Sequence, residues 1–71
     1  MKVGIISIGD ELMNGFTIDT NSSWISRKIL VYELLDVVSK ITVKDSKTDI
    51  KSSLDTLISS NIDYIFITGG L

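Results

Sequence analysis

The chain opens on Val3-Gly4-Ile5-Ile6-Ser7-Ile8, an almost unbroken apolar run rich in β-branched residues. Such a run suits a strand covered on both faces, as in a parallel sheet. Gly9 closes it. Asp10 to Thr20, with Asp10, Glu11, Gly15 and Asp19, then reads as a long loop holding one helical turn at most. Asp19, Thr20 and Asn21 are all good N-cap residues. After them Trp24, Ile25, Ile29, Tyr32 and Leu35 mark the apolar stripe of a helix, with Ser26, Arg27 and Lys28 outside it. Trp24 reads as core in preference to a stacking platform, and no Gly or Pro stops this helix before Leu34-Leu35. Asp36 to Val43 is a second strand, carried by Val37, Val38, Ile41 and Val43. Ser46 followed by Asp49 resembles a weak capping box. Ile50, Leu54, Leu57 and Ile58 then fall at i, i+4, i+7 and i+8, a core face for a second main helix. Asn61 suits a left-handed helix stop. Tyr64 to Thr68 is the third strand, and Gly69-Gly70 opens a turn.

This order, β-α-β-α-β, predicts a three-layer α/β architecture with a mainly parallel sheet and right-handed crossovers. In open α/β sheets ligands sit at the carboxyl ends of the strands. Three segments leave those ends here: Gly9 to Asn21, Lys44 to Asp49, and Gly69 onward.

Composition narrows the options. A chain of 71 residues buries only about 60% of its unfolded surface, so one core forms, with little margin. There is no cysteine and no histidine, which excludes a disulfide or zinc staple and any serine-histidine or cysteine-histidine nucleophile within the segment. The net charge of −2 and the scattered lysines argue against a nucleic-acid surface. No stretch approaches the roughly 20 apolar residues of a membrane span, and no leader is recognisable. A cytoplasmic setting is the expectation. The chain stops one residue past Gly69-Gly70, where a third helix is due. A fragment or a homo-oligomer is therefore expected from so slight a core.

Each candidate for chemistry has a plain structural alternative. Asp10 and Glu11, directly after a strand, could hold a divalent metal against a phosphate, or merely begin a helical turn. Asp19, Thr20 and Asn21 could turn backbone N–H groups toward an anion, or only cap a helix. Asp45, just past the second strand, could bind a metal or activate a nucleophile, or be a solvated loop residue. Thr68, Gly69 and Gly70 could cradle a phosphate, or form a tight strand-to-helix turn. The spacing Gly9 to Gly15 fits neither a dinucleotide fingerprint nor a P-loop. A flavodoxin-like or receiver-like domain matches the strand order but leaves Asp19-Thr20-Asn21 and Thr68-Gly69-Gly70 without a role.

Taken in order, these motifs resemble a known family. Ile8-Gly9-Asp10-Glu11-Leu12, then Gly15, then Asp19-Thr20-Asn21, is similar to the signature loop of molybdopterin-binding domains (MoaB/MogA-like), and in particular to the amino-terminal domain of CinA-type competence/damage-inducible proteins. Thr42-Val43 with Asp45 resembles the motif after that family's second strand, and Ile67-Thr68-Gly69-Gly70-Leu71 resembles its glycine turn. The chain departs from the pattern at Glu33-Leu34-Leu35, where the family has a glycine, and at Lys44, which replaces a glycine ahead of Asp45.

The resemblance implies that residues 1–71 are the amino-terminal half of a single domain that binds a nucleotide or pterin phosphate, with molybdopterin as one possible ligand. For CinA-type members it also implies pyrophosphate hydrolysis of ADP-ribose-like substrates assisted by a divalent metal such as Mg2+. By position, Asp45 corresponds to the acidic residue of the chemistry. Gly9, Asp10, Glu11, Gly15, Asp19, Thr20 and Asn21 correspond to the signature loop, and Thr68, Gly69 and Gly70 to the ligand turn. The alternative within the same resemblance is a non-catalytic binding or oligomerisation module related to molybdenum cofactor biosynthesis proteins.

Overall fold

The computed structural model describes residues 1–69. Its elements are β1 (Lys2–Ile8), α1 (Asp10–Met13), α2 (Thr20–Ile29), β2 (Asp36–Val43), α3 (Lys47–Ser59) and β3 (Tyr64–Gly69). The sheet runs β2-β1-β3 with both pairings parallel. The apolar opening run therefore becomes the central strand. Val3, Ile5 and Ile6 are fully buried, and Ile8 nearly so. Its register with β2 shifts by one between Val3↔Val37 and Gly4↔Ser39, leaving Val38 unpaired and exposed. The amino ends of the three strands are tied together. Asp36 and Asp63 donate backbone N–H groups to the Met1 and Lys2 carbonyls at 2.9 Å each, and the Lys2 N–H returns a bond to the Asp63 carboxylate at 2.7 Å.

Alternation along β1 sends its side chains to two faces. On one face Ile6 and Ile8 meet Leu57 of α3, and Ile41, Val43, Ile50, Leu54, Ile62 and Ile65 pack around them. Gly4 lies under this contact. A Cβ there would stand 2.8 Å from Leu57 Cδ1, so the missing side chain is what lets α3 lie close on the sheet. Val3, Ile5 and Ser7 point to the other face, which α2 covers with buried Ser22 and Ile29.

α3 ends as expected. Asn61 has φ 58°, the Ile62 N–H reaches the Leu57 carbonyl at 3.3 Å, and the Asn61 N–H reaches that of Ile58 at 3.2 Å. This is a complete Schellman motif, with Ile62 packed back on the Leu57 cluster.

Four expectations are corrected. Trp24 is not core: it is 55% exposed, and the Lys28 ammonium lies 5.3 Å from its ring centroid. At about 100° per residue Trp24 stands roughly 200° round the helix from Ser22, whereas Ile29 returns to within about 20° of it. Tyr32 lies beyond α2, which stops at Ile29, and is exposed. Ile58 is 63% exposed, because it sits about 80° from Ile50 at the margin of the inward face; Ser53 takes the buried place instead. Ser46 does cap α3, but its side chain makes no cap hydrogen bond, so the capping box is not formed.

The two helix positions separate in a denaturation experiment. Leu57→Ala, which empties a site that is 2% exposed, is expected to cost about 2–5 kcal/mol. Ile58→Ala is expected to stay within about 0.5 kcal/mol. Equal losses at the two positions would contradict the inward face described here.

Candidate functional site

The carboxyl ends of β1 and β3 open into a cleft of about 120 Å³. Its walls come from three elements: Glu11 and Leu12 of α1, Thr17 to Asn21 leading into α2, and Thr68-Gly69 at the end of β3, with Ile8 at the floor. Six of the residues singled out by sequence thus converge: Glu11, Asp19, Thr20, Asn21, Thr68 and Gly69. Leu12, Thr17 and Ile18 had not been singled out, although their place between two acidic motifs on one loop was the available signal. Gly70 lies outside the described residues. Two carboxylates line the cleft, and among the described residues no lysine or arginine does.

Asp19 is the most thoroughly engaged of these groups. Its Oδ1 accepts the Ser22 N–H at 3.1 Å and its Oδ2 the Ser22 hydroxyl at 2.8 Å, which makes it the N-cap of α2. Burial pushes its carboxyl up, but hydrogen bonds from the Ser7 and Ser22 side chains and the Ser22 N–H, with the charge of Lys40, outweigh it and hold the pKa below 3.8. Both oxygens bond to Ser22, so Asp19 serves the cleft wall as the cap of α2. Of the first N–H groups of α2, that of Thr20 donates to the Ile18 carbonyl at 2.9 Å and that of Ser22 to Asp19; this is the end of the helix that favours an anion.

The glycines divide by role. Gly69 has φ +91°, and a Cβ on it would lie 2.1 Å from the Ile8 carbonyl oxygen; only glycine lets β3 close on β1 at the mouth of the cleft. Gly15 has φ +79° with nothing within 4 Å of a Cβ, so it answers a backbone demand alone, and it does not line the cleft. Gly9 is extended and needs no special conformation. A Cβ there would meet the Glu11 carboxylate at 2.5 Å, so Gly9 makes room for Glu11 to fold back over the strand end.

Asp10 and Asp45 are not cleft residues. Asp10 begins α1 and its Oδ1 accepts the backbone N–H of Asp45 at 3.0 Å; both residues are exposed. Among the described residues no three Asp, Glu, His or Cys side chains come together as a metal cage. Nor is any helix there long and apolar enough to cross a membrane.

Comparison with known proteins supplies the family and the fold. The family model described as "Probable molybdopterin binding domain" matches residues 4–71, and the chain belongs to that family. It is 42% identical over 71 residues to a CinA-like protein of Fusobacterium nucleatum, covering all of this chain and 17% of that protein. It is 39% identical over 71 residues to one of Geobacter metallireducens, again covering 17% of it. The chain thus spans about a sixth of the length of these relatives. Among solved structures, CinA from Thermoplasma acidophilum superposes with a TM-score of 0.91 at 22% identity, over the whole chain and 42% of the other. The molybdopterin biosynthesis enzyme MoaB from Thermus thermophilus superposes at 0.88 with 28% identity, over 97% of this chain and 43% of the other. The three-layer parallel α/β fold is that of both.

Two tests follow. Gly69→Ala is expected to destabilise by about 1–3 kcal/mol or more, whereas Gly15→Asn, which tolerates positive φ, should change the thermal midpoint little; a neutral Gly69→Ala would refute the close approach to Ile8. For Asp19 the sign is that of a depressed acid: folding favours its anion, so its contribution is complete well above pH 3.8 and fades as pH falls through that value and below. Asp19→Ala is expected to cost about 1 kcal/mol at pH 7. The gap to wild type should shrink at pH 3 in parallel urea titrations.

Proposed function

We propose that the cleft between Thr20-Asn21 and Thr68-Gly69 receives the phosphate of a pterin or nucleotide, molybdopterin among them. The observation that carries this reading is the meeting of a ten-residue helix start with the end of a strand at one small opening, in a chain of a molybdopterin-binding family. The Thr20 N–H is taken by the Ile18 carbonyl at 2.9 Å and the Ser22 N–H by Asp19, so the donors offered to phosphate oxygens are the Asn21 N–H and side-chain amide and the Thr20 and Thr68 hydroxyls. Leu12 and Ile18 offer apolar surface to the flat ring beyond it.

For a protein as long as its CinA-like relatives, the proposal extends to hydrolysis of the pyrophosphate in an ADP-ribose-like substrate. No metal cage forms among the described residues. The divalent cation, magnesium by preference, is therefore assigned to the substrate's phosphates, a mode of binding that needs only one or two protein carboxylates. Asp45 is the carboxylate proposed for the hydrolytic step, and Glu11 joins it from the cleft, where Asp19 is engaged as the cap of α2. A cytoplasmic setting and self-association belong to the same proposal; Phe16 and Ile18, both largely uncovered beside the cleft, favour the latter.

One observation favours the non-catalytic alternative: Asp45 stands outside the cleft lining. Hydrolysis of ADP-ribose with magnesium by the whole protein separates the readings. In the first, Asp45→Asn is expected to lose turnover by about a hundredfold or more while calorimetric binding of ADP-ribose is retained. Binding without turnover in the wild type would leave the binding module. Absence of both would remove the phosphate site.

A further inference from the structure

The adjacent acids Asp10 and Glu11 face different tasks. Glu11 lines the cleft and Asp10 does not. Asp10 instead reaches the turn that joins β2 to α3, only Lys44-Asp45-Ser46 long, and its Oδ1 accepts the Asp45 N–H at 3.0 Å across a sequence separation of 35. One residue earlier the Gly9 N–H donates to the Val43 carbonyl at 3.0 Å. The β1–β2 ladder is thus continued first by main chain and then by a side chain. The turn folds on itself through the Ser46 N–H to the Lys44 carbonyl at 2.8 Å, while the Ser46 side chain makes no bond onto α3. With Lys44 and Asp45 exposed and only Ser46 half-buried, the turn has little packing to hold it, and the Asp10 carboxylate ties it to α1 beside the cleft.

We infer that Asp10 is a positioning residue: as a hydrogen-bond acceptor it fixes the β2–α3 turn, and with it the Asp45 side chain, against the end of β1, and it does not act as a charge on the ligand. This rests on the reading of the cleft and Asp45 as parts of one ligand site. An asparagine keeps the acceptor oxygen and loses the charge, so the two roles come apart in a single substitution.

The experiment uses the whole protein as wild type, Asp10→Asn and Asp10→Ala, with ADP-ribose as the probe. Amide exchange at Asp45, followed by NMR, is expected to quicken roughly tenfold or more in Asp10→Ala and to stay within about twofold of wild type in Asp10→Asn, whose oxygen still accepts. Calorimetric affinity is expected to follow the same order, with asparagine restoring it. Unchanged Asp45 exchange in Asp10→Ala overturns the tie. Faster exchange with unchanged affinity overturns its service to the site. Equal loss of affinity in both variants, with Asp45 still protected in Asp10→Asn, overturns the acceptor role in favour of charge. If Asp10→Ala does not fold, Asp10→Asn alone decides, since a charge role loses affinity there and an acceptor role keeps it. A wild type that does not bind ADP-ribose defeats the functional reading, and Asp45 exchange still judges the tie.

Discussion

β1 has a hydrogen-bonded strand on each edge and a helix on each face, and the other elements take their places from it. The strand can accept that position because nothing along Val3 to Ile8 requires water: the one polar side chain, Ser7, lies beside the Asp19 carboxylate. Gly4 sharpens the constraint. A strand buried on both faces usually holds its helices off by the bulk of its side chains, but here Leu57 descends onto bare backbone. The separation of α3 from the sheet, and through it the path of the β2–α3 turn, is set by one missing methyl group.

The site inherits this arrangement. Because the three strands are parallel, all their carboxyl ends finish on one edge of the sheet, and loops far apart in sequence become neighbours there. Asp19 shows how a polar residue contributes without touching a ligand: it satisfies the start of α2 and is held ionised by the groups around it. The cleft is therefore rigid where the helix starts and acidic on its loop side. Among the described residues no lysine or arginine lines it, and its uncharged polar groups are the Thr17, Thr20 and Thr68 hydroxyls and the Asn21 amide.

Much of this was legible in the sequence, for reasons that are local. β2 runs from Asp36 to Val43 as read, since a strand bounded by polar residues announces its own ends. Asp19 as a cap and Asn61 in the left-handed region follow from side-chain chemistry over three or four residues. What sequence did not reveal is phase and distance. Trp24 falls on the apolar stripe read along α2, yet the face that meets the sheet buries Ser22 and Ile29, a small side chain lying close over Ser7. Asp10, beside Glu11, and Asp45, on a later loop, read as separate candidates; no local signal tells that one of them holds the other's backbone. The family resemblance named six of the residues that line the cleft, together with Asp10, Gly15 and Asp45 that do not, and could not say that Gly69 answers to the Ile8 carbonyl.

The register of the sheet also governs how the chain must assemble. β1 leads the sequence, but Val3 waits for Val37 on one side and for Tyr64 on the other. During synthesis, which delivers the amino terminus first, the most apolar strand of the molecule emerges with neither partner yet made. Pairings of such long sequence separation form slowly, and a short, uncharged, β-branched run with two free edges is the kind of segment that pairs with other chains. The placement that makes β1 the best-protected strand of the finished fold leaves it the most exposed one while the fold is being made.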